Sequence, residues 1–134
     1  MPRHVFTYGS LMFAPVWQRV VRGHYRSEPA RLDGFARFAI RSQTYPGMVA
    51  QDGAAVAGVL YFDVDERDMA ALDAFEGQDY RREAVCVASA AGCMREAQAY
   101  IYLLPQNLLP LPWRPEAFQM ERFIGTYCRD RLGG

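Results

Sequence analysis

The sequence predicts an α+β fold: a small mixed α/β domain with a curved or closed β-sheet and a few flanking helices. Three observations carry this reading. The chain has 134 residues, enough for one domain with a hydrophobic core and too few for two, so residues 1–134 are read as a single domain. It is 51% hydrophobic and 22% charged, an ordinary globular composition. Six or more strand-like segments accompany a few helical ones, and so many strands in so short a chain favour a sheet that curls or closes.

Taken in order, residues 4–8 read as a buried strand. Pro15 suits a first helical turn, and Val16, Val20 and Val21 mark one face of a helix through about Arg22, ended by Gly23. Ala30 to Ile40 mixes apolar and Arg residues around Gly34 and predicts one or two irregular strands. Tyr45-Pro46-Gly47-Met48-Val49 predicts a turn feeding a short strand. Residues 55–64, AVAGVLYFDV, form the strongest strand signal in the chain. Gly58 inside it marks a bulge or a close backbone approach.

Asp65 is a good N-cap for a helix over about Glu66–Phe75, with Glu66 and Asp68 in its first turn. Met69, Leu72 and Phe75 give that helix an apolar side. Glu83–Ser89 and Ala97–Leu104 predict two strands of a hairpin around Gly92. Four of the eight prolines fall in residues 105–115, which predicts a stiff loop. The last helix is predicted from about Pro115 to Arg131, because Met120, Phe123, Ile124 and Tyr127 form an i, i+3, i+4, i+7 stripe.

Composition excludes several chemistries. The formal net charge is zero, which gives no argument for nucleic acid or an anionic membrane as partner. All 15 basic residues are Arg, so lysine nucleophiles, Schiff-base lysines and P-loop lysines are absent. Cys86, Cys93 and Cys128 have no framework spacing and are read as packed thiols. Met1-Pro2-Arg3 leads straight into a strand-like run rather than a signal peptide. No stretch approaches the roughly 18 apolar residues of a membrane span. A cytoplasmic, reduced setting is the expectation, with a monomer as the default.

Of the two histidines, His4 starts the first strand, about 17 Å from Gly9 if extended, and His24 follows the first helix. A His-centred triad is therefore poorly supported. Ser10 also lacks the second glycine of a nucleophile elbow. No Cys/His grouping has zinc spacing. Asp63, Asp65, Glu66 and Asp68 lack the turn glycine and distal Glu of a calcium loop; a solvated, capped helix start accounts for them.

Two stretches carry chemistry. In Tyr8-Gly9-Ser10-Leu11, Gly9 removes the Cβ that would keep a ligand from the backbone. The chain then turns toward a helix whose first N–H groups lack internal partners, a place suited to a carboxylate or phosphate; a plain turn is the other reading. In residues 72–83, LDAFEGQDYRRE, Glu76 sits where a helix should end, before Gly77. An acid is disfavoured there by the helix dipole. That field, with Asp73 and Asp79 nearby, would push the Glu76 pKa upward, toward that of a better proton shuttle. A solvated Glu before a capping glycine is the alternative.

Together the two stretches resemble the signatures of the γ-glutamylcyclotransferase-like superfamily, including its AIG2-like branch. Tyr8-Gly9-Ser10-Leu11 is similar to its Tyr-Gly-Ser-Leu loop, and Leu72-Asp73-x-Phe75-Glu76-Gly77-x-x-Tyr80-x-Arg82 to its second signature. Tyr45-Pro46-Gly47 and Val56-Ala57-Gly58-Val59-Leu60-Tyr61 lie between them in family order. The resemblance spans about residues 5–103.

It implies a closed or nearly closed β-barrel, no metal and no organic cofactor. Carried over by position, it implies Glu76 as the catalytic acid/base, Tyr8, Gly9, Ser10 and Leu11 as the substrate-binding loop, and Tyr80 in the pocket. Tyr100 and Tyr102 share one strand face, and one of them is expected to reach the site. The implied activity releases 5-oxoproline from a small-molecule γ-glutamyl amide, a cyclising transferase or lyase reaction. The alternative on the same fold is a non-catalytic metabolite-binding or interaction module. Residues 105–115, with Trp113, are a candidate wall for the leaving group.

Overall fold

The computed structural model describes residues 3–118 and 120–128. Six strands, β1 (Arg3–Thr7), β2 (Ser27–Ile40), β3 (Pro46–Val64), β4 (Tyr80–Ser89), β5 (Met94–Tyr102) and β6 (Leu108–Pro112), form one sheet. The order is β3-β1-β5-β4-β2-β6, and β3 also pairs with β2. That last pairing closes five strands into a barrel and leaves β6 as an extension on β2. The sequence expectation of a closed sheet therefore holds. β1 runs antiparallel to β3 and parallel to β5; the remaining pairs are antiparallel.

Alternation along the strands sorts the core into two. Phe6, Leu32, Met48, Val56, Leu60, Val87, Ala97 and Ala99 belong to a cluster made of strand residues, the barrel interior. Val5, Tyr61, Val64 and Tyr100 point the other way, into a second cluster. There they meet helices α1 (Ala14–Val20) and α2 (Glu66–Glu76) and the C-terminal residues Phe123 and Cys128. Trp17 of α1 stacks on Tyr61 with ring centroids 3.6 Å apart. No described helix is long and apolar enough to cross a membrane.

Where sequence and structure differ, the causes are local. β2 is one strand of 14 residues, and β3 is a single strand of 19 residues rather than two. The register shifts between Asp33 and Phe35, opposite Ala55 and Ala50. Residues 51–54 on β3 therefore face Gly34 alone, a large bulge that bends the ribbon and lets it wrap. Gln51, Asp52 and Gly53 are exposed, and they read as a turn although pairing resumes on both sides.

Gly58 is a close approach. A Cβ there would collide with the Thr7 carbonyl oxygen of β1. Residues 105–115 contain a 3-10 turn (Pro105–Asn107) and β6 rather than a loop throughout. The long C-terminal helix is replaced by a 3-10 turn (Pro115–Ala117), a four-residue helix α3 (Met120–Phe123) and a π-type turn (Ile124–Cys128). The apolar stripe is real, but Phe118, Phe123 and Tyr127 pack as an aromatic cluster that a straight helix does not require. The predicted end at Arg131 lies outside the described residues. Cys128 is buried, whereas Cys86 and Cys93 are exposed, because they lie on the outward side and at the turn of the β4–β5 hairpin.

Asp68 is the other correction. It is not solvated but buried, at 1% exposure. Its carboxylate accepts from the backbone N–H groups of Arg22 and Gly23, both at 2.9 Å, and from the Tyr25 hydroxyl at 2.6 Å. This clasp ties the end of α1 to the start of α2. Burial pushes the Asp68 pKa up, but the hydrogen bonds from Tyr25, Arg22 and Gly23 outweigh it and hold the group below its ordinary value.

A depressed folded-state pKa contributes stability above the unfolded value, and that stability is lost as pH falls through the folded one. Asp68→Ala should destabilise the protein by about 3 kcal/mol at neutral pH, since two backbone N–H groups and a phenol lose a charged acceptor. The gap in melting temperature between Asp68→Ala and wild type should be flat near neutrality and shrink below pH ~4. A gap that is constant down to pH ~2 would show that Asp68 is not the charged clasp.

Candidate active site

The site assembles where β1 ends. Strand pairing places Arg3 opposite Val64 and Thr7 opposite Val59, so the end of β3 lies beside the start of β1. Helix α2 leaves from there. Asp65 caps it, accepting from the Asp68 N–H at 2.8 Å. Eleven residues then advance about 16 Å, close to the length of the five-residue strand β1. The helix therefore ends beside the Tyr8–Leu11 loop. Gly77 terminates it with φ +80°, a conformation glycine adopts without strain, and Glu76 is its last residue. The predicted cap and stop both hold.

The loop itself is a 3-10 turn over Ser10–Met12, separate from α1, which begins only at Ala14. The Met12 N–H donates to Gly9 O at 3.0 Å and the Phe13 N–H to Ser10 O at 3.2 Å. The N–H groups of Gly9, Ser10 and Leu11 therefore head the turn, where no earlier carbonyl of the turn reaches them. A turn this short has no macrodipole, so the N–H groups themselves are what it offers a ligand. Gly9 is also needed for packing, since a Cβ there would lie 2.8 Å from the Pro46 ring.

Tyr8, Gly9, Ser10 and Leu11 line one pocket with Glu76, Tyr80 and Tyr100. The chain thus brings all the expected site residues to one place. The void, with the open solvent at its mouth included, is about 400 Å³. Tyr45, Phe75, Phe123 and Tyr127 complete its walls. Among the described residues that line it, Glu76 is the one carboxylate and no cationic side chain is present. Among the described residues no three His, Cys, Asp or Glu side chains group to hold a metal ion.

The tyrosines are held by their hydroxyls. Tyr8 donates to Tyr100 O at 2.5 Å, Tyr80 to Pro46 O at 2.8 Å, and Tyr127 to Phe75 O at 2.6 Å. Tyr100 donates to Asp73 Oδ1 at 2.7 Å. Burial first, and then the Glu76 charge, push the Tyr8 phenol well above its ordinary value. Burial, then Tyr8 and Glu76, do the same for Tyr80. These phenols stay protonated near neutral pH and are not bases. Asp73, expected to act on Glu76 by charge, is paired with Arg82 Nε at 3.0 Å.

Of the two β5 tyrosines, Tyr100 reaches the pocket. Tyr102 packs against Tyr80 at 5.3 Å between ring centroids and against the backbone of Gly47. Trp113 is not part of the wall; its Nε1 donates to Thr44 O at 3.0 Å and its ring packs on Phe118. The wall is built by Phe123 and Tyr127 instead.

Sequence reasoning also missed Arg37. Its Nη1 donates to Tyr8 O at 2.7 Å and to Ala57 O at 3.1 Å. It thereby fixes the carbonyl just before Gly9 and orients the N–H groups that follow. An Arg alternating with apolar residues in a strand, Phe35 to Phe38, was the available signal.

The family profile described as "Gamma-glutamyl cyclotransferase, AIG2-like" matches residues 5–117. The chain belongs to this family. It is 34% identical to AIG2-like protein D of Arabidopsis thaliana over 83 residues, 62% of this chain and 55% of that protein. The match thus spans about half the length of such curated relatives. Among solved structures, a solution structure of an Arabidopsis thaliana protein superposes with a TM-score of 0.75 at 24% identity, covering 97% of this chain and 82% of that one. A gamma-glutamyl cyclotransferase superposes with a TM-score of 0.70 at 21% identity, covering 98% and 81%. These identities establish the fold, a closed five-stranded mixed barrel with an extra strand and helices.

Arg37→Met removes the charged donor from Tyr8 O while keeping an apolar stem. It should cost about 2 kcal/mol in stability, read from urea unfolding. A variant as stable as wild type would remove Arg37 from the loop's support.

Proposed function

We propose that the protein is a γ-glutamyl cyclotransferase that converts a γ-glutamyl amide to 5-oxoproline and a free amine or amino acid. The observation that carries this reading is the meeting of the Glu76 carboxylate and the Tyr8–Leu11 backbone in one aromatic-walled pocket. Membership of the family supports it.

The reaction needs two things. The substrate's α-amine must lose a proton, because an α-amino group with pKa near 8 is mostly protonated at neutral pH. Glu76 takes that proton. The amine nitrogen then attacks the γ-carbonyl, a five-membered ring closes, and the amide C–N bond breaks. Glu76 returns the proton to the departing nitrogen, and the second proton that the ring nitrogen sheds on closing follows it, so the amine leaves as an ammonium and atoms and charge balance without a cofactor. Second, a flexible chain must be held curled. The N–H groups of Gly9, Ser10 and Leu11 receive the α-carboxylate, and holding both ends close supplies much of the acceleration. The buried aromatic walls exclude water from the ring-closing step.

A mass-spectrometric screen for 5-oxoproline release from γ-glutamyl amino acids and γ-glutamyl amines tests this. Glu76→Gln keeps the shape and removes the base. It should fold, bind ligand, and lose about 10²–10⁴-fold in turnover. Wild-type turnover in Glu76→Gln would end the acid/base assignment. No release from any substrate by folded wild type would favour the binding-module reading.

A further inference from the structure

Tyr100 differs from Tyr8, Tyr80 and Tyr127 in where its proton goes. A phenol has one proton to donate, and Tyr100 gives it to Asp73 Oδ1 at 2.7 Å. Tyr8 and Tyr80 give theirs to backbone carbonyls, which no side-chain change alters. Asp73 is held in turn by Arg82 Nε at 3.0 Å. Arg82 and Tyr100 are cross-strand partners on β4 and β5. Asp73 precedes Glu76 by three residues on α2, a spacing that puts the two on neighbouring turns of one face. Burial, reinforced by the bond to Asp73, pushes the Tyr100 phenol well above its ordinary value, so the proton stays in place.

The direction of that hydrogen bond has a chemical result. With its proton committed to Asp73, Tyr100 Oη meets any further polar group as an acceptor. The pocket is therefore polar in two senses: the Gly9–Leu11 turn presents donors, while Tyr100 and Glu76 present oxygen lone pairs. A γ-glutamyl group carries a matching pair, an acceptor carboxylate and a donor amine on one carbon.

Building on the cyclotransferase reading, we propose that Tyr100 binds the substrate's α-ammonium, its oxygen accepting one N–H while Glu76 takes another of the three protons. Asp73 and Arg82 are positioning residues that fix the direction in which Tyr100 can bond. A nitrogen held by Tyr100 while it gives a proton to Glu76 rotates less freely about its C–N bond, which restricts the approach of its lone pair to the γ-carbonyl. Tyr100 thus contributes to recognition of the amine and to its placement for attack.

The test is a discrimination ratio. L-γ-glutamyl methylamide and its des-amino analogue, glutaric acid monomethylamide, are titrated calorimetrically in a Glu76→Gln background, which stops turnover and keeps an acceptor oxygen. Tyr100→Phe should lower the preference for the amine-bearing ligand about five- to tenfold, the usual worth of one hydrogen bond. Affinity for the des-amino ligand should stay within about twofold. Asp73→Asn lets the hydroxyl reverse and should lower the same ratio, and adding Tyr100→Phe to it should lower it little further.

A purely structural role would weaken both ligands equally, and a folded Tyr100→Phe or Asp73→Asn protein with the wild-type ratio overturns the proposal. Turnover by wild type together with an unchanged ratio removes the amine contact and leaves the cyclotransferase reading standing. The expected ratios in a wild-type protein that releases no 5-oxoproline support the amine contact and remove the catalysis.

Discussion

Closure of the sheet through β2 is the constraint on which the rest depends. β2 pairs with β3 on one side and with β4 on the other, and without that double pairing the five strands would be an open sheet with two edges. Closure demands that a long ribbon bend, and the bulge over residues 51–54 is where it bends. It also demands that β1 come close to β3 along its whole length. Gly58 permits this, because the Thr7 carbonyl occupies the space a side chain would need. The active-site geometry inherits both features. Pro46, at the near end of β3, leans on Gly9 and accepts from Tyr80, so the bent ribbon forms part of the pocket wall.

Helix α2 translates that closure into chemistry. Its start is fixed by Asp65 and by the Asp68 clasp on Arg22, Gly23 and Tyr25. Its end is fixed by Gly77. Since its length matches that of β1, two anchors about 16 Å apart bring Glu76 beside the Tyr8–Leu11 loop. The tyrosines add rigidity in the same manner. Each hydroxyl bonded to a carbonyl or to Asp73 removes a freedom that a substrate would otherwise have to restrict on binding.

What the sequence made legible follows from how local each signal is. The ends of α2 were readable because a cap and a stop glycine are decided within a few residues. The β4–β5 hairpin was readable from two alternating runs around Gly92. Residues 46–64 were misread as two strands because the polar 51–53 segment carries turn chemistry, whereas the chain on both sides of it pairs with the same partner, β2. The C-terminal helix was overextended because a periodic stripe signals a shared face but not how far regular winding persists, and tertiary aromatic contacts decided that. For the site, the four stretches in family order located Tyr8–Leu11, Glu76 and Tyr80. Arg37, Phe123 and Tyr127 were not tied to the site, since each acts from a distant segment and its local signal, an Arg among apolar strand residues or a place in an apolar stripe, speaks of packing and not of a pocket.

The acids of α2 show why density of charge is a poor guide to role. Asp65, Asp68, Asp73 and Glu76 lie within one short helix and its cap. Read as composition, Asp65 and Asp68, with Asp63 and Glu66, raised a calcium site and then a solvated helix start. The four acids instead have separate tasks. Asp65 holds an N–H of the first turn. Asp68 is buried and fully bonded. Asp73 joins Arg82 to Tyr100. Glu76 alone lines the pocket. The spacings from Asp65 to Asp68 and from Asp73 to Glu76 are i, i+3, so each pair sits on adjoining turns, one pair at each end of the helix. The first pair secures where the helix begins, and the second couples its end to the pocket. With Asp65 and Asp68 securing its start, and Asp73 and Gly77 its finish, the helix can carry a pocket acid at an end where the dipole disfavours it.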